Sequence, residues 1–157
     1  ALGDYTGKLV AEAAPGMHAE VYAPFGRFQR NPTGDFEVWI AGGVGLSPFI
    51  AWLQDESAEG LGRVTLFNFY TPGREFPGMD ELGALARRRG VDWVPVSGGP
   101  DAAEFRERLA WLVGQVGAAK ISVRFCGPAG LLAKVREEMA RHGIPDAKLR
   151  YEQFEFR

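Results

Sequence analysis

The most informative stretch of this chain is Trp39-Ile40-Ala41-Gly42-Gly43-Val44-Gly45-Leu46-Ser47-Pro48-Phe49-Ile50. The apolar run Phe36–Ala41 ends at a glycine cluster, and an amphipathic stretch begins straight after it. This pattern predicts a strand, a tight turn and the start of a helix. Glycines let backbone N–H groups approach a ligand closely, and a helix N-terminus adds unpaired donors and partial positive charge. The turn therefore predicts a diphosphate site, with a plain glycine turn as the alternative. The residues predicted to bind there are Gly42, Gly43, Val44, Gly45 and Pro48.

A second strand-to-helix junction lies near the other end of the chain. Ile121–Gly130 (ISVRFCGPAG) is a buried-type strand that ends in a Gly-Pro turn, and a helix follows from Leu131 to about Arg141. Ligands of open α/β sheets bind at the carboxyl ends of the strands, where Cys126 lies. Cys126 is therefore a candidate site residue, with a small buried hydrophobe as the alternative.

From residue 36 onward, strand-like runs alternate with helical runs. The strand-like runs are Phe36–Ala41, Arg63–Tyr70, Val91–Ser97, Lys120–Cys126 and Ala147–Tyr151. The helical runs are Pro48–Glu59, Met79–Arg89, Ala102–Val113 and Ala129–His142. Such alternation predicts an α/β fold with a doubly wound, five-stranded parallel sheet. We expect the strand order 3-2-1-4-5, in which the order reverses between strands 1 and 4. The glycine turn and the Cys126 turn would then lie side by side at this switch point, where ligands of such sheets bind.

The first 33 residues have a different pattern. Leu9–Glu12, Ala14–Met17 and His18–Tyr22 read as a strand, a turn and a second strand. Two strands alone do not form a stable sheet, so we expect partners outside this segment. Asn31–Gly34 marks the crossing to the second part of the chain.

Composition excludes several classes of protein. With 157 residues the chain can bury a core, and 18 basic against 20 acidic residues give a net charge of −2, which argues against nucleic-acid binding. One cysteine excludes an internal disulfide. No apolar run approaches the roughly 20 residues that span a bilayer. Because the chain begins at Ala1 without a methionine, we expect a piece of a longer polypeptide.

Four segments together resemble the pyridine-nucleotide domain of the ferredoxin–NADP reductase superfamily. Two are AGGVGLSPF (41–49) and FCGPAGLL (125–132). Pro24–Phe28 resembles the GPYGRF segment that leaves the flavin barrel in that family, with Ala23 in place of the first glycine. Tyr151–Arg157 resembles the E-x-F-x-F-R terminus of bacterial ferric-reductase-like members, which are relatives of the NADPH oxidases. The resemblance covers nearly the whole chain.

The resemblance implies two domains. Residues 1–33 would be the C-terminal strands of an incomplete FAD-binding barrel and a linker, and residues 34–157 the NAD(P)H-binding domain. Gly3–Thr6 resembles the family's G-x-x-[ST] segment on the flavin diphosphate, so Thr6 is a predicted FAD contact, with an ordinary turn as the alternative. Since most of the barrel would be missing, we expect no tightly bound FAD and little activity from this piece alone.

The resemblance also assigns roles around the nicotinamide. Cys126 matches the family's cysteine beside nicotinamide C4, and Ser47 matches a residue near the nicotinamide amide. Ser47 can equally cap a helix that continues with Pro48. Gly127 and Pro128 would line the same site. We do not expect Cys126 to act as a nucleophile, because no histidine partner is evident.

The loop after the second strand is predicted to meet the adenosine end of the dinucleotide. Tyr70 and Arg74 are its candidate contacts, and Arg74 can bind a 2′-phosphate or a diphosphate oxygen. The alternative for Arg74 is a solvated loop arginine. No acidic residue closes the second strand to bind a free ribose 2′-OH, which favours NADPH. Ser97, at the end of the third strand, is a further candidate.

The C-terminal aromatics are the last predicted site. In the family a terminal aromatic lies against the flavin ring and moves aside for the nicotinamide, and by position this is Phe154, with Phe156 behind it. Packing of both at the sheet edge is the alternative.

Taken together, these features predict the NAD(P)H-binding module of a flavin oxidoreductase of ferric-reductase type. It would pass hydride from NAD(P)H to FAD and electrons on to a haem or ferric acceptor. Alternatives are the reductase of an oxygenase system, a nucleotide-binding electron-transfer subunit without turnover, and a structural α/β module. The oxygenase reductase needs a cysteine set for an iron–sulfur cluster, which the one cysteine here cannot supply but which could lie in sequence outside this chain. We predict no metal site, and a cytoplasmic protein or the cytoplasmic domain of a membrane protein.

Overall fold

A single parallel sheet organises the molecule. The computed structural model describes residues 4–20, 22, 26–99 and 101–154. Its strands are β1 (Phe36–Gly42), β2 (Val64–Tyr70), β3 (Asp92–Ser97), β4 (Ile121–Pro128) and β5 (Leu149–Phe154). All neighbouring strands pair in parallel, in the order β3-β2-β1-β4-β5. The predicted fold class and strand order are confirmed.

Helices and short turns connect the strands. The helices are α1 (Asp4–Glu12), α2 (Ser47–Gln54), α3 (Met79–Arg88), α4 (Ala103–Val116) and α5 (Ala129–Arg141). Turns of 3₁₀ helix cover Gly43–Leu46, Leu61–Arg63, Ala118–Lys120 and Asp146–Lys148. Within the described ranges, no helix is long and apolar enough to cross a membrane.

Helix α2 ends at Gln54 rather than at the predicted Glu59. The Asp55 carboxylate accepts hydrogen bonds from the backbone N–H and the hydroxyl of Ser57, at 2.9 and 2.6 Å. Such a local side-chain turn competes with the helix for backbone donors, and it stops the helix here.

Alternate residues of β1 face two separate cores. Val38 and Ile40 pack in the core under α4 and α5, whereas Trp39 and Ala41 pack in the core under α2 and α3. Each large apolar side chain buried in this way contributes about 1.5–3 kcal/mol relative to exposure. The predicted inner face of α4 is confirmed: Phe105, Leu109 and Leu112 are buried, and Val113 is half-buried against them.

The predicted strand-turn-strand pattern of the first part is wrong. Leu9–Glu12 form the end of α1, and Ala13 N–H donates to the Leu9 carbonyl at 2.8 Å. The described residues 13–20 and 22 contain no strand. A helix satisfies its backbone hydrogen bonds within itself, whereas these runs have no neighbouring strand among the described residues to pair with. Residues 23–25, which belong to the segment that resembles GPYGRF, and Gly3, which begins the predicted flavin-diphosphate segment, lie outside the described residues.

Candidate functional site

The glycine turn packs directly against the end of β4. Ala41 and Cys126 are register partners on β1 and β4, so the two motifs are neighbours, as the sequence predicted. A Cβ placed on Gly45 would lie 2.1 Å from the Cys126 carbonyl oxygen. A Cβ on Gly42 would lie 2.8 Å from side-chain atoms of Leu131 and Pro128. Close packing against backbone therefore requires glycine at position 45, whereas a Cβ on Gly42 would force the side chains of Leu131 and Pro128 to shift.

Gly43 differs from these two glycines. Its φ is +56°, and a Cβ at this position would meet no atom within 4 Å. The residue is exposed, and it begins the 3₁₀ turn that leads into α2. The backbone here is open to close approach by a ligand, which is the property that a diphosphate turn needs.

A cleft of about 670 Å³ lies at the carboxyl edge of β1, β2 and β4. It brings together seven of the residues that the sequence nominated. These are Gly42, Gly43, Val44, Ser47, Tyr70, Arg74 and Pro128. Its volume is in the range of cofactor pockets, and its position at the strand-order reversal is where α/β sheets bind nucleotides.

Several lining residues were not nominated by the sequence analysis. They are Leu46, Ile50, Asn68, Phe69, Thr71, Phe76, Gly98 and Leu131. Asn68 is only 2% exposed and places an amide among apolar neighbours on β2, whereas Phe76 is 44% exposed at the rim. The polar interruption of the apolar run VTLFNFY was a signal that could have found Asn68. No comparable signal marks Phe76 or Leu131.

Ser47 does not cap α2 in the predicted way. Its hydroxyl donates to the Val44 carbonyl at 2.8 Å, and Leu46 rather than Ser47 is the N-cap residue. Pro48 is therefore the second residue of the helix; it is half-buried and does not line the cleft. Because the Ser47 hydroxyl donates backwards into the turn, its lone pairs remain available to accept a hydrogen bond from a ligand.

Arg74 lies in a loop that is held by its own hydrogen bonds. Its backbone N–H donates to the Thr71 carbonyl at 2.9 Å, and Gly73 N–H donates to the Glu75 carboxylate at 2.9 Å. Hydrogen bonds from the backbone N–H groups of Gly73 and of Glu75 itself lower the pKa of Glu75. The Glu75 carboxylate is thus hydrogen-bonded within its own loop. Arg74 lines the cleft and places a positive charge there.

Cys126 lies behind the cleft rather than in its lining. It is 5% exposed and packs in the core with Ala41 and Leu46. Burial raises the pKa of the Cys126 thiol from 9.0 to about 11, with a smaller contribution from the Glu152 carboxylate. The thiol is therefore protonated at neutral pH.

Four further candidates are not in the cleft lining. Gly45 and Gly127 are buried, and Gly127 packs against Gly42. Ser97 is exposed at the end of β3, and the next residue, Gly98, lines the cleft instead. Thr6 lies in α1 rather than in a turn.

The position of Phe154 is defined only by its backbone. It is the register partner of Pro128 at the end of β5, so it lies at the same edge of the sheet as the cleft. Residues 155–157, including Phe156, lie outside the described residues.

No family model matches the chain. Two curated proteins of Pseudomonas putida are similar to it in sequence. Oxidoreductase NdmD is 27% identical over 139 residues, which are 88% of this chain and 23% of that protein. The electron transfer component of toluate 1,2-dioxygenase is 26% identical over 152 residues, which are 93% of this chain and 45% of that protein. The chain therefore spans less than half the length of either relative.

A solved structure has the same fold. The FAD/NAD-binding domain of nitric oxide dioxygenase from Vibrio cholerae O1 biovar El Tor superposes with a TM-score of 0.62 at 25% identity. The match covers 85% of this chain and 56% of that one. With its five-stranded order and glycine turn, the chain has the fold of the NAD(P)-binding domain of the ferredoxin–NADP reductase superfamily, and its sequence is similar to an oxidoreductase and to a dioxygenase electron transfer component.

Proposed function

We propose that this chain is the NAD(P)H-binding module of a flavin-dependent oxidoreductase. The observation that supports the proposal most strongly is the 670 Å³ cleft at the carboxyl edge of the sheet, which we call the nucleotide cleft. There the open backbone of Gly43, the Ser47 hydroxyl and the Arg74 guanidinium line one space. The residues present fit a dinucleotide: donors and positive charge for phosphates, and apolar walls for rings.

Each part of the cleft then has a role in binding. The glycine turn and the N-terminus of α2 hold the diphosphate, and Arg74 binds the phosphate at the adenosine end. Ser47 orients the nicotinamide amide, and the protonated Cys126 thiol packs behind the ring position. A bound nicotinamide would supply a hydride for a flavin to accept, and the residues of this chain would contribute positioning and exclusion of water.

The domain division remains part of this proposal. Residues 34–157 would form the nucleotide-binding domain, and residues 1–33 would connect it to a FAD-binding barrel. The helix α1 was not expected in a barrel remnant, so the proposed boundary depends on the family resemblance alone. We expect that the 157-residue chain by itself retains no stoichiometric FAD and has little reductase activity. A cytoplasmic location also stays a prediction.

The electron acceptor has two candidates. A haem or ferric acceptor follows from the resemblance of the C-terminal segment to ferric-reductase-like proteins. An oxygenase component is the second candidate, and the similarity to a dioxygenase electron transfer component favours it. Reduction assays of the full-length gene product with NADPH, in the presence of ferric citrate, cytochrome c or an oxygenase ferredoxin, distinguish them.

Binding of NADP⁺ to the chain tests the nucleotide site itself. Val44 is 59% exposed in the glycine turn and lines the cleft, so a polar substitution there costs the fold little. We expect Val44→Asp to weaken NADP⁺ binding at least about tenfold, or ~1.4 kcal/mol, because it places a carboxylate beside the diphosphate. Val44→Asn is the uncharged control of the same size. Equal affinities of the two variants, measured by calorimetry, would refute a diphosphate site at this turn.

A further inference from the structure

A second cleft, of about 590 Å³, lies at β4 and β5, away from the nucleotide cleft. Ser122 and Arg124 line it from β4, and Arg150 lines it from β5. The β4 side chains here alternate with Val123 and Phe125, which pack in the core under α4 and α5. This second cleft therefore lies on the face of the sheet opposite α4 and α5.

Two arginines face each other across this part of the sheet. Arg124 and Arg150 are register partners on β4 and β5. Like charges directly opposite one another on neighbouring strands destabilise a sheet. Arg124 is 5% exposed, and burial, Arg150 and Arg30 all lower the pKa of Arg124, while Glu37 raises it. The sheet thus holds a largely buried cation beside a second cation.

The buried carboxylate nearest to this pair is already engaged. Glu37 Oε1 accepts a hydrogen bond from Arg30 Nη2, and Glu37 Oε2 accepts one from Trp39 Nε1, both at 2.9 Å. The Asp35 carboxylate, in the lining of the second cleft, accepts a hydrogen bond from Lys148 Nζ at 2.6 Å. Each of these acids therefore has its own donor.

The two arginines bond to carbonyl groups instead. Arg124 Nη2 donates to the Asn31 carbonyl at 3.0 Å, and Arg150 Nη1 donates to the carbonyls of Ala147 and Leu149. In the part of the chain that the structure describes, neither forms an ion pair within 4.0 Å, although the exposed Glu152 also lines the second cleft. A buried charge without a counter-ion is costly.

Unpartnered polar atoms accompany these charges. Arg124 Nε and Ser122 Oγ are buried and have no hydrogen-bond partner within the described ranges. The two residues lie two positions apart on the same face of β4, and both line the second cleft. Buried polar groups in native proteins are nearly always satisfied, so a group from outside these residues is needed here.

We propose that the second cleft binds a small oxyanion, a phosphate or a carboxylate, between Arg124 and Arg150. Guanidinium groups bind such oxyanions through paired, charge-assisted hydrogen bonds. A bound oxyanion neutralises the facing arginines and accepts from the donors of Arg124 and Ser122. This site is separate from the nucleotide cleft and does not depend on the proposed function.

The test is thermal unfolding of the 157-residue chain in inorganic phosphate against sodium chloride at equal ionic strength. We expect phosphate at ten times its Kd to raise the midpoint by about 3–6 °C. Arg124→Gln and Arg150→Gln should each abolish this rise, and Arg88→Gln, an exposed arginine of α3, should retain it. Because Arg150 is exposed, its variant remains informative if Arg124→Gln fails to fold. In chloride, Arg150→Gln should unfold no earlier than the parent, since it removes repulsion.

Other outcomes overturn the proposal. Equal midpoints in phosphate and chloride would show that no oxyanion binds, and that water satisfies the buried donors. A rise that survives Arg150→Gln but is lost in Arg74→Gln would place the phosphate in the nucleotide cleft.

The full-length gene product distinguishes the two sources of oxyanion. A phosphate response that persists there indicates a free solute. If the response is lost there and Arg150→Gln lowers the midpoint, a carboxylate of the polypeptide occupies the second cleft. Loss of the response without an effect of Arg150→Gln would contradict both forms of the proposal.

Discussion

Gly45 packs so closely against the carbonyl oxygen of Cys126 that a Cβ on residue 45 would lie 2.1 Å from that oxygen. The contact joins the glycine turn after β1 to the end of β4. It holds together the two motifs that the sequence placed far apart in the chain. The shape of the nucleotide cleft therefore depends on a residue that does not line it.

We expect Gly45→Ala to destabilise the chain by about 1–3 kcal/mol, because the added methyl group overpacks a backbone contact. Urea unfolding measures this change. Gly114→Ala is the matched control: Gly114 lies inside α4, where a Cβ meets no atom within 4 Å, so alanine should stabilise by ~0.5–1 kcal/mol. Equal stabilities of Gly45→Ala and the parent would show that the turn can move away from β4 without cost.

Arg74→Ala should weaken NADPH more than NADH in the full-length protein. Loss of a charge-assisted hydrogen bond to the 2′-phosphate costs ~1.5–3 kcal/mol, or roughly ten- to hundred-fold in affinity. Titrations with both nucleotides measure the difference, and Arg88→Ala, away from the cleft, is the control. Equal losses for the two nucleotides would mean that Arg74 contacts the diphosphate or no part of the ligand.

The Cys126 thiol should make stability fall at alkaline pH. Its folded pKa is raised from 9.0 to about 11, so above pH 9 the unfolded chain releases a proton that the folded chain keeps. The free energy of unfolding therefore falls by about 1.4 kcal/mol by about pH 10. Below pH 9 the contribution of the thiol to stability is fully present. The measurement is the free energy of unfolding at about pH 8 and about pH 10, for the parent and for Cys126→Ser, whose hydroxyl does not ionise. The parent should lose more; an equal loss in both would show that the thiol is not desolvated.

The C-terminal aromatics provide a test of flavin shielding. If Phe154 covers the flavin, removal of residues 154–157 from the intact enzyme favours the nicotinamide-bound state, because no ring has to be displaced. A stacked pair contributes ~0.5–1.5 kcal/mol beyond area burial, so affinity for oxidised nucleotide should rise severalfold. The preference for NADPH over NADH should fall with it. Titration with NADP⁺ and NAD⁺, followed by flavin absorbance, measures both; unchanged values would assign Phe154 to packing at the edge.

The order of apolar and amphipathic runs along the chain was enough to predict the parallel sheet and the edge at which a ligand would bind. Apolar runs that alternate with amphipathic runs leave few solutions other than right-handed crossovers, and glycines after β1 permit a close turn at the end of that strand. Together with the family resemblance, this was enough to nominate seven residues of the cleft without coordinates: Gly42, Gly43, Val44, Ser47, Tyr70, Arg74 and Pro128.

Which other side chains meet these residues could be seen only in the folded molecule. Asn68, Phe76 and Leu131 enter the cleft because strand register and helix position bring distant segments together, and no local pattern encodes those distances. The same reason applies to the pairing of Arg124 with Arg150. The helix α1 was missed because a short apolar run fits a strand or a helix equally well, and the choice between them depends on whether a partner strand is present.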